Sequence, residues 1–474
     1  MTPDTVSDIP TITQDHGSFR DPSGHVYQIN NRTFRTVHET AIDNYRFVRD
    51  TGLLRKLAAA GRLVECREVD ESVLNLPGFK CQTILEHPTL PFVSYPYEWS
   101  FSALKAAALL HLDLHVEALE CGITLTDASA YNVQFIGARP IFIDILSFRR
   151  YQEGEFWIAH RQFCEQFLNP LLLRAYFGIA HNSWYRGSLE GITTVELNRL
   201  LPWWRKCLSW NAFTQVYLQA QMQSLAFAKP QAAVQAVKTR KLPRTAFIGL
   251  LTQLRNWIAK LVPSDTSQTV WGNYATANTY TDDEAAAKRK FIAEFVENTH
   301  PRLVWDLGCN TGDYAATALA AGAHYLIGFD CDQHALETAF IRAQADHLDF
   351  LPLFLDAANP SADQGWNELE RKGLQARAPA DALIALAFEH HLAIGRNIPL
   401  PQVVAWLCRL APRGVIEFVR KDDPTVQQML SLREDIFPDY TEEAFATALQ
   451  RQGRLIKVET VSSTGRRLYW YDRT

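Results

Sequence analysis

The sequence predicts an α/β fold, with a parallel sheet in residues 271–474 and an α+β unit before it. Three observations carry this reading. The run Val304-Trp-Asp-Leu-Gly-Cys-Asn-Thr-Gly-Asp-Tyr314 takes an apolar strand straight into a glycine turn and then a helical pattern. Further apolar runs ending in acids or other polar residues follow at regular spacing, as the strands of an open parallel sheet do. The 474 residues exceed what one core usually covers, at an ordinary 47% hydrophobic and 21% charged composition.

Residues 1–228 read as the α+β unit. Phe92-Val-Ser-Tyr-Pro-Tyr97 reads as a strand and hinge, and Leu104 to Glu120 as the helix after it. The segment Gly122 to Phe135 carries Asp127-x-x-x-x-Asn132, and Pro140-Ile-Phe-Ile-Asp144 follows as an apolar strand ending in an acid. These residues resemble the catalytic loop of protein kinases and of sugar or aminoglycoside phosphotransferases. The resemblance implies a base at Asp127 and magnesium ligands at Asn132 and Asp144, with Lys80 as a guess for the phosphate lysine. The pattern departs at Thr126, where arginine is common, and at Ile145-Leu146, where Phe-Gly is usual, and no glycine loop opens the chain. The plainer alternative is a turn in which Asp127 and Asn132 bond the local backbone.

The helical run from Glu155 to Ser224 is rich in aromatics, including Trp157, Phe163, Phe167, Trp203, Trp204 and Trp210. They read mostly as core, with a groove for a sugar or lipid acceptor as the alternative. Residues 229–270 form a basic, proline-marked linker and an amphipathic helix. Its stripe places Phe247, Leu250, Leu251, Leu254, Trp257, Ile258 and Leu261 at three- and four-residue steps, with Arg255 and Lys260 outside it. Such a helix either clamps the two units together or makes peripheral contact with an anionic membrane through 247–261.

Within 271–474, Trp271 to Tyr274, Tyr280 and a helix from Asp282 to Glu297 precede the first strand. The glycine turn is spaced D-x-G-x-x-x-G, with Asn310 where many related loops carry another glycine, a residue that tolerates left-handed backbone. The later strands are Leu326 to Asp332, Phe350 to Asn359, Ala380 to Leu392, Gly414 to Val419, Leu455 to Val461 and Arg467 to Tyr471. The third of these is an apolar strand ending in Glu389, His390 and His391.

Together these residues resemble class I S-adenosylmethionine-dependent methyltransferases. The resemblance implies a Rossmann-like seven-stranded methyltransferase sheet with S-adenosyl-L-methionine as cofactor. Asp306, Gly308, Asn310 and Gly312 then form the cofactor turn, Asp330 and Cys331 lie at the ribose, and Asp356 and Ala357 at the adenine. Tyr274 or Tyr280 covers the sulfonium, since a cation is attracted to an aromatic face. His390 and His391 are the candidate proton acceptors, and Glu389 orients one of them or binds the acceptor. A double histidine can equally place one ring in the core and one in solvent. The amine-methylation signature Asn-Pro-Pro-Tyr is absent from this strand, which favours a hydroxyl acceptor. The Glu-His-His strand and the Phe418 to Pro424 loop also resemble bacterial proteins related to nodulation methyltransferases, implying a small-molecule, glycan or glycolipid acceptor.

A formal net charge of −5 argues against general attraction to nucleic acid. The eight cysteines are scattered without a C-x-x-C pair, so reduced thiols and no metal site are expected. With no signal sequence and no apolar run long enough to span a bilayer, a cytoplasmic location is expected. Two other readings stay open: a bifunctional kinase and methyltransferase, and a non-catalytic scaffold with a degenerate site.

Overall fold

The computed structural model describes residues 12–74, 82–228, 241–265, 282–377, 380–431 and 433–474. Lys80, Tyr274, Tyr280 and linker residues 229–240 lie outside the described residues.

Strands β1 (Ile12–Gln14), β2 (Val26–Ile29), β3 (Arg32–Val37), β4 (Arg67–Val69) and β5 (Thr83–His87) form an antiparallel sheet in the order β1-β2-β3-β5-β4. The helix Glu39–Asp50 follows β3 and buries Ala41, Ile42, Tyr45 and Val48, an apolar face at helical spacing. Two small antiparallel pairs complete this half: β6 (Ile123–Leu125) with β9 (Phe148–Arg150), and β7 (Val133–Ile136) with β8 (Arg139–Phe142).

The helix Phe101–Glu120 is the axis around which these parts pack. Ser100 caps its start by accepting the Ala103 amide, and twelve of its twenty residues are buried, because strands and helices cover it on several sides. The helix Arg244–Lys260 lies along it, burying Phe247, Leu251, Leu254 and Ile258, and Arg255 pairs with Asp113 at 2.9 Å. The stripe at 247–261 therefore faces protein, as the clamping alternative expects of it. The segment Phe92–Tyr97 joins no sheet; it runs extended into a short 3₁₀ turn, Pro96–Glu98.

His111, on the same axis, is fully buried among Phe142, Trp157, Phe163 and Phe167, and neither ring nitrogen has a partner. Burial pushes its pKa down to about 3. Because leaving a buried polar group unpaired costs about 1–3 kcal/mol, His111→Leu is expected to raise stability by that order. Below about pH 6.5 the unfolded chain binds a proton that the folded chain refuses. The advantage of the variant should therefore widen by up to about 1.4 kcal/mol per pH unit as pH falls, read from urea unfolding at several pH values.

The second half is built on seven strands: β10 (Leu303–Leu307), β11 (Tyr325–Asp330), β12 (Phe350–Phe354), β13 (Ala382–Ala385), β14 (Arg413–Phe418), β15 (Arg454–Thr460) and β16 (Arg467–Asp472). Their order is β12-β11-β10-β13-β14-β16-β15, parallel except for β16, which runs antiparallel to both its neighbours. From β10 the chain first winds outward to β11 and β12, then returns to β13 on the other side. That reversal opens a crevice at the carboxyl ends of β10 and its neighbours, the place where open α/β sheets take ligands.

The halves share one continuous hydrophobic core. Phe92 meets Trp305 and Phe329 edge-on at 5.9 and 6.3 Å. Glu337 accepts the Phe101 amide at 2.6 Å and pairs with the fully buried Arg174 at 3.0 Å. Between β12 and β13, the segment 355–377 is tied repeatedly to the first half. Arg186 donates to Asn359 O at 2.7 Å, the Lys372 amide donates to the Tyr95 hydroxyl at 2.9 Å, and buried Arg377 pairs with buried Glu98. Among the described residues, no helix is long and apolar enough to cross a membrane.

Candidate functional site

The glycine turn closes the carboxyl end of β10. Gly308 (φ +77°), Asn310 (φ +48°) and Gly312 (φ +84°) are all left-handed, the conformation the sequence pattern requires. A Cβ at Gly312 would lie 2.6 Å from the Phe350 ring, and one at Gly308 would lie 3.2 Å from Phe388. The turn is thus a backbone cradle pressed between two aromatic rings, and Gly312 leads into the helix Asp313–Ala320.

Asp330, at the end of β11, is brought against this turn. Its Oδ2 accepts the Asn310 amide at 2.9 Å and its Oδ1 accepts the Asp332 amide at 2.8 Å. Burial raises its pKa, and those amides act against the rise. Asp306 is buried under the turn with Oδ2 unpartnered, and burial followed by the Asp330 charge pushes its pKa up to about 8. Cys331 is exposed beside Asp330, its thiol raised to about 11 chiefly by burial of the sulfur. Asp356 lies beyond β12, accepts the Ala358 amide at 3.1 Å and faces Arg396 at 3.7 Å, with Ala357 half-buried next to it. Asp306, Gly308, Asn310, Gly312, Asp330 and Asp356 therefore share one sheet edge.

The Glu-His-His segment is placed differently from the sequence reading. The strand β13 ends at Ala385, Ala387 turns with φ +47°, and Glu389–Ala393 forms a short helix. Glu389 and His390 are fully buried. Glu389 Oε1 accepts the Val419 amide at 3.0 Å and lies 2.7 Å from the Tyr440 hydroxyl, while Oε2 lies 3.0 Å from His390 Nδ1. Glu389 so ties three segments together and orients His390. Tyr440→Phe removes a donor to a buried carboxylate and should cost about 1.5–3 kcal/mol in a urea melt. His391 is half-buried, its ring 4.2 Å from that of His390, and burial, then His390, push its pKa down to about 3.

Deeper at this edge, Lys288 and Glu417 form a buried ion pair at 2.7 Å, and Glu417 also accepts the Ala387 amide at 2.9 Å. This pair had no local signal, since its members stand on a helix and a strand far apart in sequence.

In the first half, Asn132 Nδ2 donates to Asp127 Oδ2 at 2.9 Å and to Asp144 Oδ2 at 3.2 Å. Arg35, from β3, pairs with Asp144 at 2.8 Å and also with Asp21. The Asp127 carboxylate accepts the Ser129 amide at 2.9 Å as well. The three residues singled out in sequence are thus neighbours, but the Arg35 guanidinium already occupies the Asp144 carboxylate. Magnesium therefore does not fit this arrangement, and among the described residues no group of three or more His, Cys, Asp or Glu side chains could hold a metal ion.

Together, the seven-stranded sheet, its glycine turn and the acid at the end of β11 define a Rossmann-like fold with an open crevice at the carboxyl ends of its strands. The chain is 47% identical over 458 residues to nodulation protein NoeA of Rhizobium meliloti (strain 1021), covering 97% of this chain and 96% of that one, and it belongs to the family of that protein. No family model matches it. Similar solved structures include the N-methyltransferase NodS from Bradyrhizobium japonicum WM9, at 12% identity and TM-score 0.30 over 40% of this chain and 97% of that one. Magnesium protoporphyrin IX methyltransferase (ChlM) from Synechocystis PCC 6803 with bound SAH is 16% identical, with TM-score 0.29 over 40% of this chain and 84% of that one. WbdD is 17% identical, with TM-score 0.29 over 46% of this chain and 47% of that one.

Proposed function

We propose that this protein transfers a methyl group from S-adenosyl-L-methionine to a hydroxyl of a small molecule, glycan or glycolipid. The observation that carries the reading is the meeting of the glycine cradle, Asp330 and the buried Asp306, whose Oδ2 is unpartnered, at one sheet edge. When bound, the cofactor supplies an already activated methyl group. The chain's part is to hold and align: Asp330 with Cys331 at the ribose hydroxyls, Asp356 and Ala357 at the adenine, and the Gly308 to Gly312 turn against the amino-acid portion. Asp306 suits an ammonium group, because a carboxyl kept near pKa 8 by burial gains most from a positive partner. Burial, then His390, hold the His391 pKa down to about 3, so this ring orients the acceptor hydroxyl, while the proton that the hydroxyl loses as its oxygen takes the methyl group passes to solvent water. The hydroxyl choice rests on the missing amine-methylation signature, and the glycan or glycolipid choice on kinship with a nodulation protein.

Calorimetric titration with S-adenosylmethionine tests this. One saturable site is expected, abolished in Gly308→Val. Binding near pH 7 should release a proton from Asp306, so the measured heat should change with the ionisation enthalpy of the buffer, and not in Asp306→Asn. A well-folded wild type that takes up no cofactor would leave a scaffold as the better reading.

The clustering of Asp127, Asn132 and Asp144 is what favours the bifunctional alternative, a kinase-like first half. Arg35 on Asp144 weighs against phosphoryl transfer and leaves this half to present the acceptor. Magnesium-dependent ATP turnover lost in Asp144→Ala would reverse that order.

A further inference from the structure

Between Glu196 and Asp265 the chain contains no Asp or Glu, yet it holds ten Lys and Arg. The whole chain carries 52 acids in 474 residues, so about seven would fall in such a stretch by average usage. Where this stretch is described, it also holds the two most exposed tryptophans among the described residues. Trp203 is 76% exposed, Leu208 82% and Trp210 70%, with Trp204, Leu218 and Met222 exposed around them.

These residues form one surface. The helix Trp203–Leu208 packs beside the helical run from Trp210 to Ala228, with Lys206 over the Tyr217 ring at 6.0 Å and Trp210 stacked on Phe213 at 6.0 Å. Arg205 lies over Tyr176 and Trp204 at 4.7 and 5.1 Å. The charged ends of Arg205 and Lys206 thus rest over aromatic rings, half-buried at the surface, while Arg199 is exposed on the preceding helix. Gln253 donates to Asn211 at 2.8 Å, so the helix Arg244–Lys260 borders this face and brings exposed Lys260 to its edge.

We propose that the face formed by residues 199–222 seats this protein on the surface of an anionic lipid bilayer. Tryptophan and leucine side chains standing out among Lys and Arg are what a headgroup region accommodates, the rings at the acyl boundary and the cations among the phosphates. A second copy of the chain fits poorly, because the cations of two such faces repel each other. Nucleic acid would use the cations but offers nothing to Leu208 or Met222. The proposal is independent of methyl transfer, and it moves membrane contact from the buried stripe at 247–261 to a face that is exposed.

Flotation of the full chain with vesicles tests it, using phosphatidylcholine alone and phosphatidylcholine mixed with phosphatidylglycerol. The wild type is expected to float with the mixed vesicles, to float weakly with phosphatidylcholine alone, and to be released by high salt. Trp203→Ser/Leu208→Ser/Trp210→Ser and, separately, Arg205→Glu/Lys206→Glu should each lower partition by about tenfold or more. The triple variant alters exposed positions and the charge variant half-buried ones, and thermal melts confirm that each folds. The proposal fails if the wild type stays unbound with mixed vesicles, or if the folded triple variant floats as well as the wild type. It also fails if the face instead mediates a dimer or oligonucleotide binding in the absence of vesicle binding.

Discussion

Arg377→Met is expected to destabilise the folded chain by about 3–5 kcal/mol, the usual cost of leaving one member of a buried ion pair unmatched. Arg377 and Glu98 are both buried; two guanidinium nitrogens meet the carboxylate, and a third contact runs to Val93 O at 2.9 Å. The guanidinium also lies over Tyr95 and Phe92 at 4.6 and 4.9 Å, so its removal opens space as well as stranding a charge. Urea unfolding followed by tryptophan fluorescence reads the loss. Glu98→Gln/Arg377→Met should recover a large part of it, since no buried charge then remains. A loss below about 1 kcal/mol in the single variant would show that the pair is not an anchor.

Asp330→Ala should weaken S-adenosylmethionine binding by about 150-fold or more. Hydrogen bonds to a charged acceptor contribute about 1.5–3 kcal/mol each, and two ribose hydroxyls would be lost. Asp330→Asn keeps the shape and one acceptor oxygen, so an intermediate loss of about tenfold is expected. Calorimetry measures both, with thermal melts to confirm that the glycine turn still forms without the bond to the Asn310 amide. Equal affinity in wild type and Asp330→Ala would remove this residue from the cofactor site.

The parts of the site that the sequence made legible are those specified by neighbours along the chain. The turn from Gly308 to Gly312 follows its strand directly, and Asp330 comes one strand and helix later, so spacing alone paired them. The Ala380 to Leu392 run was harder to divide. It stays apolar beyond the end of β13 because the helix after Ala387 is buried too, and burial erases the change of period that would have marked the boundary. Asp127, Asn132 and Asp144 were found together for the same local reason, whereas Arg35, which decides the charge of that cluster, comes from a distant strand. Composition misled in the aromatic run. Trp157, Phe163 and Phe167 are core as expected, but Trp203 and Trp210 face outward, and nothing in their spacing separates the two groups. Glu98 and Arg377 meet only through the tertiary fold, so no pattern within either half announces them.

The ties that hold segment 355–377 bear on how such a protein can change. Arg186, Tyr95 and Glu98 grip the stretch that leads away from Asp356, so one wall of the cleft takes its form from residues in the opposite half. The second half severed from the first would be an incomplete vessel, open on that side. Substitutions that reshape either half must be answered in the other, and the two are constrained to be inherited as a matched pair rather than exchanged as separate modules.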